Sequence, residues 1–261
     1  MSTAALFERL AARYDELWTE TAVGRAQRKA VWRVVDRLFG AGDCVLDIGC
    51  GTGEDAAHLW ERGVLVYGVD ASPAMVARAR ARGVMAEVGR IEDLGRPGCC
   101  PAGQAEAYPT AEWPAVLWDK LKHVPLDGAI SNFGALNCVE DLAGVARSLG
   151  RLVRSGGYVV ICTIGRFCVW ETLYFGLRLD FKKALRRLAG RAGEIGYPTV
   201  RQLHADFAAD FELVCWTGVG MLVPPSYVKL PARIVKLLAL LDRLPLLRSC
   251  ADHRLLVFKR K

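Results

Sequence analysis

The sequence of residues 45–53 is Val-Leu-Asp-Ile-Gly-Cys-Gly-Thr-Gly, and residues 66–70 read Val-Tyr-Gly-Val-Asp. A short apolar run of this kind is typical of a buried parallel strand. Glycines at alternate positions let the backbone turn sharply and approach a ligand without Cβ atoms in the way. A helix is predicted over about 54–62, and the next strand ends at the acidic Asp70, where a ribose with two free hydroxyls would bind. The pattern therefore predicts a nucleoside-binding half-site.

Details of the glycine turn indicate which nucleoside it would bind. A dinucleotide fingerprint has the spacing G-x-G-x-x-G, but the third glycine position is occupied here by Glu54. Asp47 and Glu54 flank the turn and would repel a pyrophosphate, whereas they suit a cationic ligand. S-adenosylmethionine (SAM) carries an ammonium and a sulfonium and has no phosphate. The turn resembles the D-x-G-x-G-x-G loop of the class I SAM-dependent methyltransferases.

The resemblance to this family extends beyond the turn. Residues 70–75 (Asp-Ala-Ser-Pro-Ala-Met) are similar to the family's D-x-S-x-x-M, and residues 12–15 (Ala-Arg-Tyr-Asp) resemble a helix that closes over SAM in small-molecule members. Residues 89–94 look like the family's G-D-A-E-D-L, but Arg90 stands where an Asp usually binds the adenine amino group. The cofactor-binding residues that the resemblance implies are Tyr14, Asp47, Gly49, Gly51, Gly53, Asp70, Ala71, Met75, Arg90, Ile91 and Asn132.

The family resemblance also implies the fold class. It is an α/β, Rossmann-like, seven-stranded, mostly parallel sheet with an antiparallel last strand, helices on both faces and extra helical lid segments. Hydrophobic periodicity predicts helices over 4–19, 22–39, 142–153 and 199–208, and the last two strands over 211–217 and 253–259. We expect one domain over residues 1–261, with insertions at about 95–125, 165–197 and 224–250 that cover the acceptor side.

Composition is consistent with a globular enzyme. The chain has 261 residues, of which 52% are hydrophobic and 24% charged, and a formal net charge of +7. No secretory signal or run of about 20 apolar residues is evident, so we expect a cytoplasmic protein. The nine cysteines are scattered without C-x-x-C spacing, which indicates reduced thiols and no metal site.

The basic charge is concentrated in the second half of the chain. Residues 164–261 hold 17 Lys and Arg against eight Asp and Glu. Between Phe167 and Arg187, large apolar and basic residues alternate, and a helix is predicted over about 169–189. A basic amphipathic segment suits peripheral contact with the inner face of the membrane. The alternative is a solvated basic face over a packed apolar one.

For the methyl acceptor we predict a hydrophobic small molecule, with or without an anionic group, that is methylated at oxygen or carbon. Ser131-Asn132-Phe133-Gly134 differs from the N-P-P-Y-like sequence of base-flipping amino methyltransferases, which disfavours a nucleic-acid acceptor. His58, His123, His204 and His253 are each predicted to be structural, so no catalytic base is assigned. The residues expected to line the acceptor pocket are Phe133, Asn137, Arg166, Trp170 and Glu171.

Other function classes stay open at this point. One is an RNA or protein methyltransferase. Another is an enzyme of this fold that transfers a group other than methyl, and a third is a non-catalytic binding module, for which Arg90 in the adenine loop is the warning. The intact glycine turn disfavours the third.

Overall fold

The computed structural model describes residues 3–90, 92, 125–226, 228, 230–242 and 248–261. The strands in this part of the chain are β1 Cys44–Ile48, β2 Leu65–Asp70, β3 Met85–Val88, β4 Leu126–Ser131, β5 Val153–Ile164, β6 Arg191–Ala192, β7 Ile195–Gly196, β8 Phe211–Val219 and β9 His253–Arg260. The α-helices are α1 Thr3–Leu10, α2 Ala22–Leu38, α3 Glu54–Glu61, α4 Pro73–Ala81, α5 Leu142–Leu152, α6 Val169–Gly176, α7 Phe181–Ala184, α8 Val200–Phe207 and α9 Ala232–Leu241.

Within the described residues, seven strands form one sheet in the order β3-β2-β1-β4-β5-β9-β8, and β6 pairs with β7 in a separate hairpin. The first five strands of the sheet pair in parallel, and β9 lies antiparallel between β5 and β8. The expected seven-stranded, mostly parallel sheet with an antiparallel last strand is confirmed. The order reverses at β1 and β4, and ligands of open α/β sheets bind in the crevice outside such a switch point.

Alternate residues of the central strands form two separate cores. Val45 of β1 and Val160 of β5 face α2 and α3, where they pack with Val35 and Leu59. The neighbouring positions of the same strands face the opposite layer, which includes Phe207 of α8. Because successive side chains of a strand point to opposite faces, this pattern buries both sides of the sheet under helices.

Local signals determine where the helices near the glycine turn begin. Ser72 accepts a hydrogen bond from the Met75 amide, and Pro73 occupies the first helical position of α4. Thr21 caps α2 in the same way by accepting from the Gly24 amide. These caps position the amino ends of both helices relative to the sheet.

The helix observed at the amino end of the chain is shorter than the one predicted over 4–19. After α1 ends at Leu10, the chain continues as a 3-10 turn over Ala11–Arg13 and a π-helical turn over Asp15–Thr19. The wider turn brings Asp15 and Thr19 to the inside, where both are buried. We call residues 3–19 the N-terminal cover.

The helix predicted over 169–189 is interrupted. α6 ends at Gly176, Leu179 adopts a left-handed conformation with φ 57°, and Asp180 then caps α7 by accepting from the Lys183 amide. A residue in the left-handed conformation cannot continue a right-handed helix, and this conformation is unusual for leucine because its Cβ crowds the backbone. The β6–β7 hairpin occupies the rest of this segment.

Two more segments, 224–250 and 95–125, are predicted to cover the acceptor side. In the segment 224–250, Val235 of α9 packs with Val23 and Val223, and none of its described residues lines the cavities discussed below. The cover of the acceptor side by this segment therefore stays a prediction. The insertion at 95–124 lies outside the described residues. In the part of the chain that the structure describes, every helix is too short or too polar to cross a bilayer.

Gly128→Ala should lower the free energy of unfolding by about 1–3 kcal/mol through overpacking. A Cβ at Gly128 would lie 2.4 Å from Phe39 Cε1 and 2.4 Å from the Tyr158 carbonyl oxygen, and that carbonyl belongs to the neighbouring strand. Urea unfolding measures the change. Gly40→Ala is the matched control, because a Cβ there would meet nothing within 4 Å. Equal stability of the two variants would contradict this account of the β4–β5 contact.

Candidate functional site

The three glycines of the turn after β1 have left-handed φ angles of 70° at Gly49, 54° at Gly51 and 80° at Gly53, but they serve different purposes. A Cβ at Gly51 would meet nothing within 4 Å, so this glycine leaves the space above the turn open. A Cβ at Gly53 would lie 2.9 Å from the Cβ of Ala79. Gly53 is therefore required for the packing of the turn against α4, and it does not line the cavity described next.

A cavity of about 550 Å³ lies beside the turn, at the carboxyl ends of β1, β2 and β4. Its size is within the usual range of small-molecule sites. Its lining consists of Phe7, Tyr14, Gly49, Gly51, Asp70, Ala71, Ser72, Met75, Arg90, Glu92, Asn132, Phe133, Ala135, Cys138, Val139, Glu140, Asp141, Arg191 and Glu194. The structure thus brings together most of the residues predicted to bind a cofactor, and Phe133 with them. Ile91 lies outside the described residues.

Asp70 is held in place by two backbone amides. Its Oδ2 accepts from the Gly51 N–H at 2.9 Å, and its Oδ1 accepts from the Ser72 N–H at 2.9 Å. Burial raises the pKa of Asp70, while these two hydrogen bonds act in the opposite direction. Each carboxylate oxygen retains a lone pair for a ligand hydroxyl. The geometry fits a ribose diol.

Asn132, at the end of β4, is oriented by a buried carboxylate. Its Nδ2 donates to Asp55 Oδ2 at 3.1 Å, and Asp55 also accepts from Trp32 Nε1 at 2.7 Å and pairs with Arg28 Nη1 at 2.6 Å. This arrangement leaves Asn132 Oδ1 as a buried acceptor with no partner in the protein. Buried acceptors without a partner are costly, so a donor from a bound ligand would stabilise this one.

Sequence reasoning missed Asp55, Arg28 and Trp32. Asp55 is the second residue of α3 and looks like an ordinary first-turn acid, which favours a helix amino end through the helix dipole. The signal that could have pointed to Asp55 is Arg28, which lies on the buried face of α2. A buried arginine requires a buried acid nearby.

Asp47 is buried near the end of β1, two residues before Gly49, and does not itself line the cavity. Its Oδ2 has no hydrogen-bond partner. Burial, together with the negative charges of Asp55 and Asp70, raises the pKa of Asp47 well above its ordinary value. A cationic group bound beside Gly49 would compensate this carboxylate. The donor set therefore fits the ammonium and ribose of SAM.

The N-terminal cover is attached to the turn and to α4 by its own acids. Asp15 accepts from Thr52 Oγ1 at 2.7 Å and pairs with Arg78 at 3.1 Å and Arg82 at 2.8 Å. Glu8 accepts from the Ser72 hydroxyl at 2.5 Å. These contacts place Phe7 and Tyr14 on the cavity, and burial raises the pKa of Tyr14 to about 12.

Three residues predicted to line the acceptor pocket have other roles in the structure. Asn137 accepts from the Ile164 amide and donates to the Gly196 carbonyl oxygen at 2.6 Å, which holds the β6–β7 hairpin. Trp170 Nε1 donates to the Met221 carbonyl oxygen at 3.1 Å. Glu171 is buried and pairs with Arg186 and Arg187. These are corrections to the predicted lining, since the polar groups of all three are engaged within the protein. Arg166 lines a smaller, neighbouring cavity.

Asp47→Asn should raise the melting temperature of the ligand-free protein at neutral pH. Because the pKa of Asp47 in the folded state lies above its ordinary value of 3.8, folded protein binds more protons than unfolded protein between the two values. Stability therefore falls as pH rises through that window, and Asn removes this loss. Thermal unfolding from pH 4 to 8 should show that the difference in melting temperature between Asp47→Asn and wild type widens with pH. It should grow by about 2–4 °C for each kcal/mol of unfolding free energy that the variant gains over wild type.

Glu61→Gln, at an exposed acid that ends α3, is the control for Asp47→Asn and should show no such widening. A variant at Asp47 that is less stable than wild type at pH 8 would contradict the assignment of a costly buried charge.

Comparisons with known proteins agree with this geometry. A family model described as a methyltransferase domain matches residues 23–215. Over 162 residues the chain is 28% identical to the demethylmenaquinone methyltransferase of Mycobacterium marinum, an alignment that covers 61% of this chain and 58% of that protein. It is 30% identical over 166 residues to the ubiquinone biosynthesis O-methyltransferase of Serratia proteamaculans, with 62% and 60% covered. The alignments thus span about three fifths of these curated relatives.

The fold is shared with a SAM-dependent methyltransferase from Thermotoga maritima that is described as a possible histamine N-methyltransferase. The two structures superpose with a TM-score of 0.59 at 17% identity, covering 98% of this chain and 99% of the other. At that identity the similarity concerns the fold alone. Because the family model matches most of the chain, including the glycine turn, Asp70 and Asn132, this protein belongs to the methyltransferase domain family.

Proposed function

We propose that this protein transfers the methyl group of SAM to an oxygen or carbon of a hydrophobic small molecule. The observation that carries the proposal is the convergence on one cavity of Asp70, the unpartnered Oδ1 of Asn132 and the open turn at Gly51, with the buried carboxylate of Asp47, whose Oδ2 has no partner, behind them. Family membership implies SAM as the cofactor, and the residues present fit it.

Each residue would contribute a defined part of cofactor binding. Asp70 would accept hydrogen bonds from the ribose, and Asn132 Oδ1 would accept one from the ammonium, whose charge the buried Asp47 would balance without touching it. Met75, which is buried and lines the cavity, would pack against the adenine. When bound, SAM supplies a methyl group on a sulfonium, which is a good leaving group. The protein then has to orient the acceptor and exclude water, and Tyr14 and Phe133 supply apolar surface for both.

The far end of the cavity supports an apolar acceptor. Ala135, Cys138 and Val139 line it beyond Phe133. The names of the curated relatives, which refer to menaquinone and ubiquinone biosynthesis, point in the same direction. Carboxylates at this end come from Glu140, Asp141 and Glu194.

No histidine lies among the described residues that line the cavity. His253 is buried behind Phe133, with the two ring centroids 5.4 Å apart, and burial lowers the pKa of its imidazole. This arrangement favours an acceptor whose own oxygen or carbon ionises readily, such as a phenol or an enolisable carbon, because such a nucleophile needs little help from a base.

Asp70→Ala should weaken binding of S-adenosylhomocysteine, the demethylated product, by about ten- to a hundredfold, since hydrogen bonds to a charged group contribute about 1.5–3 kcal/mol. Asp70→Asn should lose less, because its Oδ1 can still accept from a backbone amide. Titration calorimetry measures both. Glu212→Ala is the control, because Glu212 is exposed on β8 at the opposite edge of the sheet. Unchanged affinity in Asp70→Ala would contradict the proposed cofactor site.

The acceptor class is tested with methyl-labelled SAM and cell extract. Label in a lipid or small-molecule fraction supports the proposal. Label in RNA or protein would instead support the alternative acceptor classes. Label that stays on the thioether by-product of SAM, with none on an acceptor, would support transfer of a different group.

We further propose that the protein works at an anionic membrane surface. The loop between α6 and α7 exposes 85% of Leu177, 77% of Leu179 and 60% of Phe181, and the left-handed Leu179 holds this apolar tip outward. Lys182 and Lys183 follow directly and are exposed. An apolar tip with a basic rim suits the boundary between headgroups and acyl chains. Arg187 does not belong to this rim, because it is buried between Glu171 and Asp252.

Sedimentation with vesicles tests the membrane contact. Wild type should bind vesicles of phosphatidylcholine with phosphatidylglycerol more tightly than vesicles of phosphatidylcholine alone. The combined variant Leu177→Ser, Leu179→Gly, Phe181→Ser should lose most of the binding, because each apolar methylene that enters the bilayer contributes about 0.8 kcal/mol. Lys182→Ser with Lys183→Ser should lose the preference for anionic vesicles, at about 1 kcal/mol per residue.

Leu237→Ser with Leu240→Ser on α9 is the control for the apolar variant, because each of these leucines is 58% exposed. Negligible vesicle binding by wild type, or an equal loss in the control, would contradict the proposed membrane surface.

A further inference from the structure

A second cavity, of about 240 Å³, adjoins the cofactor cavity and shares Val139, Glu140 and Arg191 with it. The described residues that line it are Leu136, Val139, Glu140, Leu142, Arg166, Gly190, Arg191, Gly196, Tyr197, Pro198 and Gln202. A molecule that occupies the acceptor end of the larger cavity can therefore extend a substituent into the smaller one. The lining combines apolar side chains with two arginines.

Arg166 is the unusual member of this lining. It follows β5, is half-buried, and makes no hydrogen bond or ion pair with any residue that the structure describes. The other arginines withdrawn from solvent have partners, as Arg28 has Asp55 and Arg187 has Glu171. Withdrawing a guanidinium from water without a counter-ion is unfavourable, so an anion in this cavity would stabilise it.

The backbone around Arg166 is shaped to admit the guanidinium. Gly190 has φ 82°, and a Cβ there would lie 2.6 Å from Arg166 Nη2. A side chain at position 190 would therefore displace the guanidinium from its place beside the hairpin. The hairpin is in turn held by the Asn137 side chain at Gly196, which gives the amide of Asn137 an indirect part in forming the cavity.

Arg191 provides a second positive charge at the border between the two cavities. It pairs with Glu140 at 2.5 Å, but the side chains are 49% and 78% exposed. An ion pair this exposed is weak, so Arg191 can exchange Glu140 for an anion of the ligand. Among the described residues that line the smaller cavity, Glu140 is the only acid against two arginines, so this lining carries a net positive charge.

We propose that the smaller cavity binds a carboxylate or phosphate group of the methyl acceptor, with Arg166 as the fixed counter-ion and Arg191 as the exchangeable one. The acceptor is then an amphipathic molecule whose reactive end lies in the cofactor cavity and whose anionic end lies against Arg166. This inference rests on the proposed function, since it assigns the anionic part of that acceptor.

Benzoate and phenyl phosphate are the probes, and benzamide is the neutral analogue. Each is titrated against the full protein saturated with S-adenosylhomocysteine, by ligand-observed NMR or calorimetry. Wild type should bind at least one anionic probe more tightly than benzamide, and comparison of the two probes shows whether carboxylate or phosphate is preferred. Arg166→Gln should weaken binding of the anionic probe by about tenfold or more, as expected for a lost charge-assisted contact. It should leave the affinity for benzamide unchanged.

Two further variants separate charge at this site from general effects. Arg166→Lys should retain part of the preference for the anion, because it keeps the charge and loses the planar fork. Arg151→Gln, at an exposed arginine near the far end of α5, should behave as wild type. Melting temperatures of all variants exclude misfolding as the cause of lost binding.

The inference is overturned if Arg166→Gln binds the anionic probes as wild type does, if benzamide binds wild type as tightly as they do, or if no probe binds while S-adenosylhomocysteine does. Failure of S-adenosylhomocysteine to bind would contradict the proposed function instead. The probes are then titrated against the free protein, where the comparison of Arg166→Gln with wild type still decides whether the subsite exists.

Discussion

The structure around the glycine turn depends on how the charges of four buried carboxylates are compensated. Asp15 is balanced by Arg78 and Arg82, Asp55 is balanced by Arg28, and Asp70 accepts two backbone amides. These ion pairs and hydrogen bonds join parts of the chain that are distant in sequence. The N-terminal cover, α2 and the end of β4 are therefore positioned by the same requirement, namely that a buried carboxylate needs a partner. Asp47 is the exception, because its Oδ2 has no hydrogen-bond partner and its pKa stays well above the ordinary value although the nearby charge of Arg28 lowers it.

Much of the fold could be predicted because its signals are local. The apolar strand, the glycine turn and the Ser72–Pro73 cap lie within 28 residues of one another, and each indicates a backbone conformation by itself. Most of the residues expected on the cofactor side line one cavity for the same reason. The contacts that join Arg28, Asp55 and Asn132 could not be predicted, because these residues lie far apart in sequence and the position of Arg28 in α2 indicates a buried acid without indicating which one.

The lining of the acceptor pocket was harder to predict from sequence. A polar residue after a strand can either line a cavity or bond to other residues of the protein. Asn137 and Glu171 face the protein, and only the contacts made by the hairpin and by Arg187 decide this. The left-handed Leu179 has no sequence signature either, so the helix over 169–189 was predicted too long. Gly53 is required for packing against Ala79, which means that an intact glycine turn is weaker evidence for catalysis than its pattern indicates.

The N-terminal cover has a kinetic consequence. Phe7 and Tyr14 line the cavity, and the cover is attached through Glu8 to Ser72 and through Asp15 to Thr52. A cofactor that enters or leaves past the cover would have to break these contacts, so the exchange of spent for fresh cofactor would be a step separate from bond formation. The residence time of the product is then governed by residues that need not touch the reacting atoms.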